Sequence, residues 1–153
     1  MKVYRLSKRK FARDLSGKGA EQAGGRWNSR GVAVVYTSDS RALCVTEIAV
    51  HTPLGIVPDD YEPVTIEIPD AIEIIEIPVD KLPADWKSIP HTGKTQELGD
   101  ALIRENKYAV IRVPSAVVQG DFNYLINPAH KEFKKIRILK TEKFSFDYRL
   151  FVK

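Results

Sequence analysis

The chain has 153 residues, with 24 Lys and Arg against 20 Asp and Glu, 43% hydrophobic residues and a net charge of +4. That length buries a core without disulfides or metal, and the composition predicts one domain over residues 1–153. The single cysteine, Cys44, excludes an internal disulfide and any multi-cysteine metal site, and fits a reducing cytoplasm. No apolar run approaches the roughly 20 residues that cross a bilayer, and the basic N-terminus lacks the apolar stretch of a secretory signal.

In chain order, VYRL near the start reads as a short strand. Residues 7–25 are basic, then glycine-rich, and read as a loop with a helical turn. GVAVVYTS, residues 31–38, is a β-branched run and predicts a buried strand. Ser38, Asp39 and Ser40 are all N-cap residues, and a helix to His51 follows from them. Residues 63–69 alternate Val64, Ile66 and Ile68 against Thr65 and Glu67, as a half-buried strand does, and residues 71–78 read as another. Pro78, Pro83 and Pro90 make the next stretch a loop. Leu98, Leu102 and Ile103 stand at helical spacing within 95–106, with Thr95 as the cap. Residues 108–115 are a strand stopped by Pro114, and KIRILK and FSFDYRLF close the chain as strands, the last alternating Phe144, Phe146, Tyr148 and Leu150. The order lacks a βαβα rhythm, so the fold class is α+β, with mixed β-sheets and a few helices.

Several kinds of chemistry have no signature here. GxGxxG would need glycine at position 22, which is Gln22, and no Walker loop is present. His51, His91 and His130 are scattered without HExxH, so no metal site is expected. No Ser-His-Asp nucleophile elbow is spelled out.

What remains is a set of polar residues at element ends. Arg26 sits among Gly24, Gly25 and Trp27, where the glycines let backbone approach a ligand and the guanidinium fork suits a phosphate or carboxylate. The other account of Arg26 is a turn residue paired with a carboxylate or solvated. Tyr36 ends the 31–38 run, either stacking on a flat heterocycle or resting in the core with its hydroxyl at the rim. Glu47 lies at the edge of the apolar face of its helix beside Cys44, and four residues from His51, either as an electrostatic catalyst or as a surface carboxylate. Ser115 stands at a strand exit, and Asn123 and Asn127 flank an aromatic-aliphatic stretch ended by Pro128; these groups suit sugar hydroxyls and amides, or cap their own turns.

In register over nearly the full length, GGRWNSRG, VVYTS, LCVTEIAVH, TQELGD, VPSAVV, NYLINPAH and FDYRLF resemble the RES domain family, named for Arg, Glu and Ser. Members of that family look like toxins of bacterial toxin–antitoxin pairs. The resemblance implies an ADP-ribosyltransferase-like fold, NAD⁺ as substrate, no metal, and an antitoxin partner with a helix-turn-helix domain that plugs the active site. It implies no direct nucleic-acid contact by this chain, no membrane, and a cytoplasmic site of action. By matching motifs Arg26, Glu47 and Ser115 are the family residues, Tyr36 is the aromatic against nicotinamide, and Gly25, Trp27 and Asn127 belong to the substrate-binding set.

On that resemblance Arg26 binds the pyrophosphate or a ribose, Glu47 stabilises the oxocarbenium-like state at the anomeric carbon, and Ser115 orients the ribose or carboxamide. Neutral nicotinamide leaves a cation, so no general acid is required. The acceptor is water in an NAD⁺ glycohydrolase, inorganic phosphate in a phosphorolytic enzyme, or a protein side chain in an ADP-ribosyltransferase. The competing class is a non-enzymatic basic binding module using SKRKFAR and HKEFKKIRILK, in which Arg26 and Glu47 form a structural ion pair.

Overall fold

Alternation of side chains along extended backbone sorts this chain into two cores, one on each face of a single sheet. Along neighbouring strands Val110, Tyr124 and Ile126 join one apolar cluster, while Ile111, Val113 and Leu125 join the other. The computed structural model describes residues 1–153. Its strands are β1 (Lys2–Lys8), β2 (Val35–Ser38), β3 (Tyr61–Glu67), β4 (Ile74–Glu76), β5 (Val110–Pro114), β6 (Phe122–Ile126) and β7 (Arg137–Thr141). Three α-helices intervene: α1 (Lys18–Ala23), α2 (Arg41–His51) and α3 (Lys94–Glu105).

The seven strands form one sheet in the order β4-β5-β6-β2-β1-β3-β7. β4 and β5 are parallel and joined through α3, and every other neighbouring pair is antiparallel. The sheet is therefore mixed and the fold α+β, as the sequence predicts. One βαβ crossover stands among antiparallel pairs. β1 lies inside the sheet between β2 and β3; Val3 packs fully buried on one face, and β3 pairs with β1 over its whole length.

Four sequence expectations are corrected. The run 31–38 is strand only from Val35, although Val32 and Val34 are buried in the irregular segment before it. The FSFDYRLF segment is not a strand. It is an irregular chain with a single 3-10 turn at Tyr148–Leu150. Its alternation has another cause: Phe146 packs edge-to-face on Tyr61, Phe144 and Phe151, while Tyr148 is 64% exposed. Thr95 does not cap α3, because Gly93 occupies that position in the left-handed region and the Thr95 hydroxyl is used elsewhere. Residues 122–126, expected as a recognition stretch or turn, form the inner strand β6 between β5 and β2.

α2 starts as expected at Ser40, whose Oγ accepts the Leu43 N–H at 3.0 Å. Leu43 and Cys44 face the sheet. The Cys44 thiol donates to the Tyr4 carbonyl of β1 at 3.3 Å. That seating turns the next exposed edge of the helix, with Glu47 and His51, toward open space above β1 and β2.

Candidate active site

The open space is a cleft of about 860 Å³, at the upper end of the range for small-molecule sites (~300–1,000 Å³). Its walls are β1 at Tyr4–Leu6, the end of β2 at Tyr36–Ser38, the exposed edge of α2, the Gly24–Trp27 turn, the strap 87–91, and Asn123 of β6. Of the sequence-predicted residues, Arg26, Tyr36, Glu47, Gly25 and Trp27 line it, and Ser115 and Asn127 do not.

The turn that carries Arg26 is held from behind by α3. Thr95 Oγ1 donates to the Arg26 carbonyl at 2.6 Å, and Gln96 Nε2 to the Gly25 carbonyl at 2.9 Å. The Ser29 N–H donates to Asp100 Oδ1 at 2.9 Å. Gly99 lets the helix close on the turn: a Cβ there would lie 1.8 Å from the Trp27 carbonyl oxygen. These four residues lock the TQELGD segment onto the GGRWNSRG turn.

Tyr36 braces the same turn from the front. Its hydroxyl accepts the Trp27 N–H at 3.1 Å and donates to Asn28 Oδ1 at 2.7 Å. Burial pushes this phenol well above its usual range, so it stays neutral and its ring forms cleft wall. A Cβ at Gly25 would strike the Tyr36 hydroxyl at 2.6 Å, so the glycine is required for this close approach. Trp27 is 3% exposed and packs on Trp86 with ring centroids 6.3 Å apart, so its main work is structural.

Arg26 reaches past the turn to the strap. Nη1 donates to the carbonyls of Trp86, at 2.6 Å, and Ser88, at 3.3 Å. Nε and Nη2 donate to no protein acceptor. Burial lowers the Arg26 guanidinium from its usual value, and the Glu47 carboxylate opposes that shift. The two charges therefore sense each other, yet they form no ion pair within 4.0 Å.

Glu47 is held on one oxygen only. Oε1 accepts from Ser115 Oγ at 3.1 Å and from Asn123 Nδ2 at 2.9 Å, while Oε2 has no protein donor. Ser115 is 1% exposed and lies behind the carboxylate, not in the cleft wall. Its hydroxyl also accepts the N–H groups of Val117 and Val118 at 3.1 and 3.0 Å. Ser115→Ala removes the acceptor for two backbone donors and one donor to Glu47. We expect it to cost about 1–3 kcal/mol in urea unfolding. An unchanged midpoint would show that water replaces the hydroxyl.

Asn127 stands apart from the expected set. It is fully buried, outside the cleft wall, and bonded to the Ile103 carbonyl at 3.1 Å, Asn106 Oδ1 at 2.9 Å and the Ala129 N–H at 3.0 Å. It fixes the end of α3 against the end of β6. Asn123, four residues earlier in the same segment, is the asparagine in the cleft. Side chains four apart on an unbroken strand would share a face, but β6 ends at Ile126, so Asn127 lies past the strand, where the chain turns toward the end of α3.

His51 and His91 both line the cleft, and His130 lies elsewhere, its Nδ1 accepting the Glu132 N–H at 3.1 Å. No three His, Cys, Asp or Glu side chains stand in position to hold a metal ion. No helix is long and apolar enough to cross a membrane.

Cys44 borders the cleft, and burial pushes its thiol up to about 11 from an ordinary 9.0. The folded state thus favours the neutral thiol. The resulting stability is complete below pH 9.0 and lost as pH rises toward 11. At pH 8 we expect alkylation of Cys44 by iodoacetamide to be about 100-fold slower than for an unshifted thiol. Labelling at the free-thiol rate would contradict this burial.

The fold and the cleft define an α+β protein with an arginine and a carboxylate lining one cleft of small-molecule size. The RES domain profile matches residues 2–148, and the chain belongs to the RES domain family. A Sphingobium sp. protein named Prs ADP-ribosylating toxin is 39% identical over 141 residues, 91% of this chain and 88% of its own. A Yersinia enterocolitica protein named Toxin Res is 34% identical over 98% of this chain and 99% of its own. Among solved structures, the crystal structure of the M. tuberculosis MbcT-MbcA toxin-antitoxin complex holds a chain with the same fold. That chain has a TM-score of 0.72 at 22% identity, with 98% of this chain and 86% of that chain covered.

Proposed function

We propose that this chain is the toxin of a toxin–antitoxin pair, and that its cleft binds NAD⁺ and breaks the nicotinamide–ribose bond. The observation that carries this reading is the unpaired confrontation of Arg26 and Glu47 across one cleft. In a binding module whose Arg and Glu are a structural ion pair, the two charges would be in contact. Here each keeps unused capacity: Nε and Nη2 of the guanidinium and Oε2 of the carboxylate. A ligand that is anionic at one end and becomes cationic at the other fits between them.

NAD⁺ is such a ligand. Its pyrophosphate or adjoining ribose takes the free Arg26 donors in charge-assisted hydrogen bonds. As the bond from the anomeric carbon to nitrogen breaks, its electron pair neutralises the pyridinium and leaves an oxocarbenium-like ribosyl cation. Glu47 Oε2 meets that charge, in a site where fixed dipoles need no reorganisation. The Tyr36 ring supplies apolar wall for the leaving nicotinamide. Water capture gives ADP-ribose and a proton; phosphate capture gives a phosphorylated ADP-ribose. The partner is an antitoxin with a helix-turn-helix domain that occludes this cleft.

The name of the Sphingobium relative favours a second outcome for the same intermediate, transfer of ADP-ribose to a protein, with Prs the acceptor that name gives. The assay is NAD⁺ consumption by the purified chain with buffer alone, with inorganic phosphate, and with added Prs. Nicotinamide with ADP-ribose marks hydrolysis, a phosphate-dependent product marks phosphorolysis, and labelled Prs marks transfer. NAD⁺ left intact in all three would overturn the reading. Arg26→Ala is expected to raise KM for NAD⁺ at least tenfold, since it removes a charge-assisted contact of about 1.5–3 kcal/mol. An unchanged KM would remove Arg26 from the binding site.

A further inference from the structure

Glu47 belongs to a helix, yet the groups that orient its carboxylate belong to the sheet and the loop after β5. Asn123 of β6 and Ser38 of β2 are register partners on adjacent antiparallel strands. Ser38 is 5% exposed, and its hydroxyl donates to Asn123 Oδ1 at 2.7 Å. With Oδ1 so engaged, Nδ2 faces Glu47 Oε1 at 2.9 Å. The flipped amide would set acceptor against acceptor at Glu47, so the relay has one orientation.

From this relay we infer that Asn123, oriented by Ser38, is a positioning residue that holds Glu47 with Oε2 presented to the cleft. The inference rests on the proposed role of Glu47 toward the ribosyl cation. Both Ser115 and Asn123 converge on Oε1, which fixes the carboxylate plane and leaves the other oxygen for ligand. A neutral amide suits this task where Lys or Arg would not. A cation at 2.9 Å would compensate the very charge that has to meet the developing cation. The placement also ties Glu47 to the paired backbone of β2 and β6, the more rigid support.

The test compares steady-state NAD⁺ cleavage by the full chain, Asn123→Ala and Asn123→Asp, with thermal melts alongside. For Asn123→Ala we expect kcat to fall about 10–100-fold with KM within about threefold, the usual size of losing a group that orients a reacting one. For Asn123→Asp we expect a new pH dependence. While the two carboxyl groups share one proton, the acid donates to Glu47 as the amide does, and activity persists. As pH rises that proton is lost, two anions face each other, and activity falls where the parent is flat. A kcat within twofold of the parent for the alanine variant, a loss confined to KM, or an Asp profile superimposed on the parent's would overturn the proposal. Should Asn123→Ala not fold, Ser38→Ala, which frees the amide to flip, is expected to lower kcat about 3–10-fold, and parental kcat there overturns it equally. One measurement stands apart from NAD⁺: the side-chain amide resonances of Asn123 in a ¹⁵N spectrum are expected to move on Glu47→Gln. Unmoved resonances overturn the contact. Moved resonances in a chain inert to NAD⁺ leave the contact standing and place the failure on the proposed reaction.

Discussion

Glu47→Gln is expected to lower NAD⁺ cleavage at least 100-fold while leaving the melting temperature within a few degrees of the parent. The geometry separates the two effects. Gln keeps a carbonyl oxygen at the position of Oε1, so the donors Ser115 and Asn123 retain their acceptor. What disappears is the charge at Oε2, the oxygen without a protein partner. Removing one preorganised electrostatic group from a transition state costs about 2.7–4 kcal/mol, which is the basis of the 100-fold figure. Release of nicotinamide by the folded variant, followed chromatographically, decides the matter. A stable Glu47→Gln protein with parental turnover would take Glu47 out of the chemistry. A variant that fails to fold would instead favour a structural role, which Oε2's lack of partners argues against.

Gly99→Ala is expected to damage both stability and activity, against the usual trend. In an open helix interior, Gly to Ala gains up to about 1 kcal/mol. Here the added Cβ would lie 1.8 Å from the Trp27 carbonyl oxygen, and backbone has no rotamer to give. α3 has to withdraw, and the contacts from Thr95 to the Arg26 carbonyl and from Gln96 to the Gly25 carbonyl go with it. We expect a loss of about 2–3 kcal/mol in urea unfolding, the size of overpacking, with Arg26 displaced and KM for NAD⁺ raised. Gly19→Ala in α1 is the control. Nothing lies within 4 Å of its added Cβ, so it is expected to be neutral or mildly stabilising. Equal stability of Gly99→Ala and Gly19→Ala would mean that α3 does not press on the turn.

These two residues show how unevenly the site was written in the sequence. Glu47 was legible because helical periodicity placed it at the edge of an apolar face, and α2 obeys that periodicity with Ser40 as its cap. Arg26 was legible because an arginine in a glycine turn has few structural uses. Gly99 carried no signal of its own, since its necessity comes from a carbonyl 72 positions away in the chain.

By itself the sequence determined the local terms: β1, β3, β5 and the end of β2, the cap and course of α2, the α+β class, and the pairing of Arg26 with Glu47 as candidates. The elements follow from side-chain period and turn chemistry, read within a dozen residues; the pairing of Arg26 with Glu47 follows from the resemblance to the RES domain family along the whole chain. Only the tertiary structure decided the rest. β6 escaped because both its faces are buried, so Tyr124, Leu125 and Ile126 show no alternation to read. FSFDYRLF misled for the opposite reason: its alternating aromatics pack on one another and on Tyr61, with no strand formed. Asn123 and Asn127 are chemically identical and four apart. Only the packing of β6 between β5 and β2 sends one amide to Glu47 and the other to the end of α3, because hydrogen-bond partners distant in sequence set where a polar side chain can be satisfied.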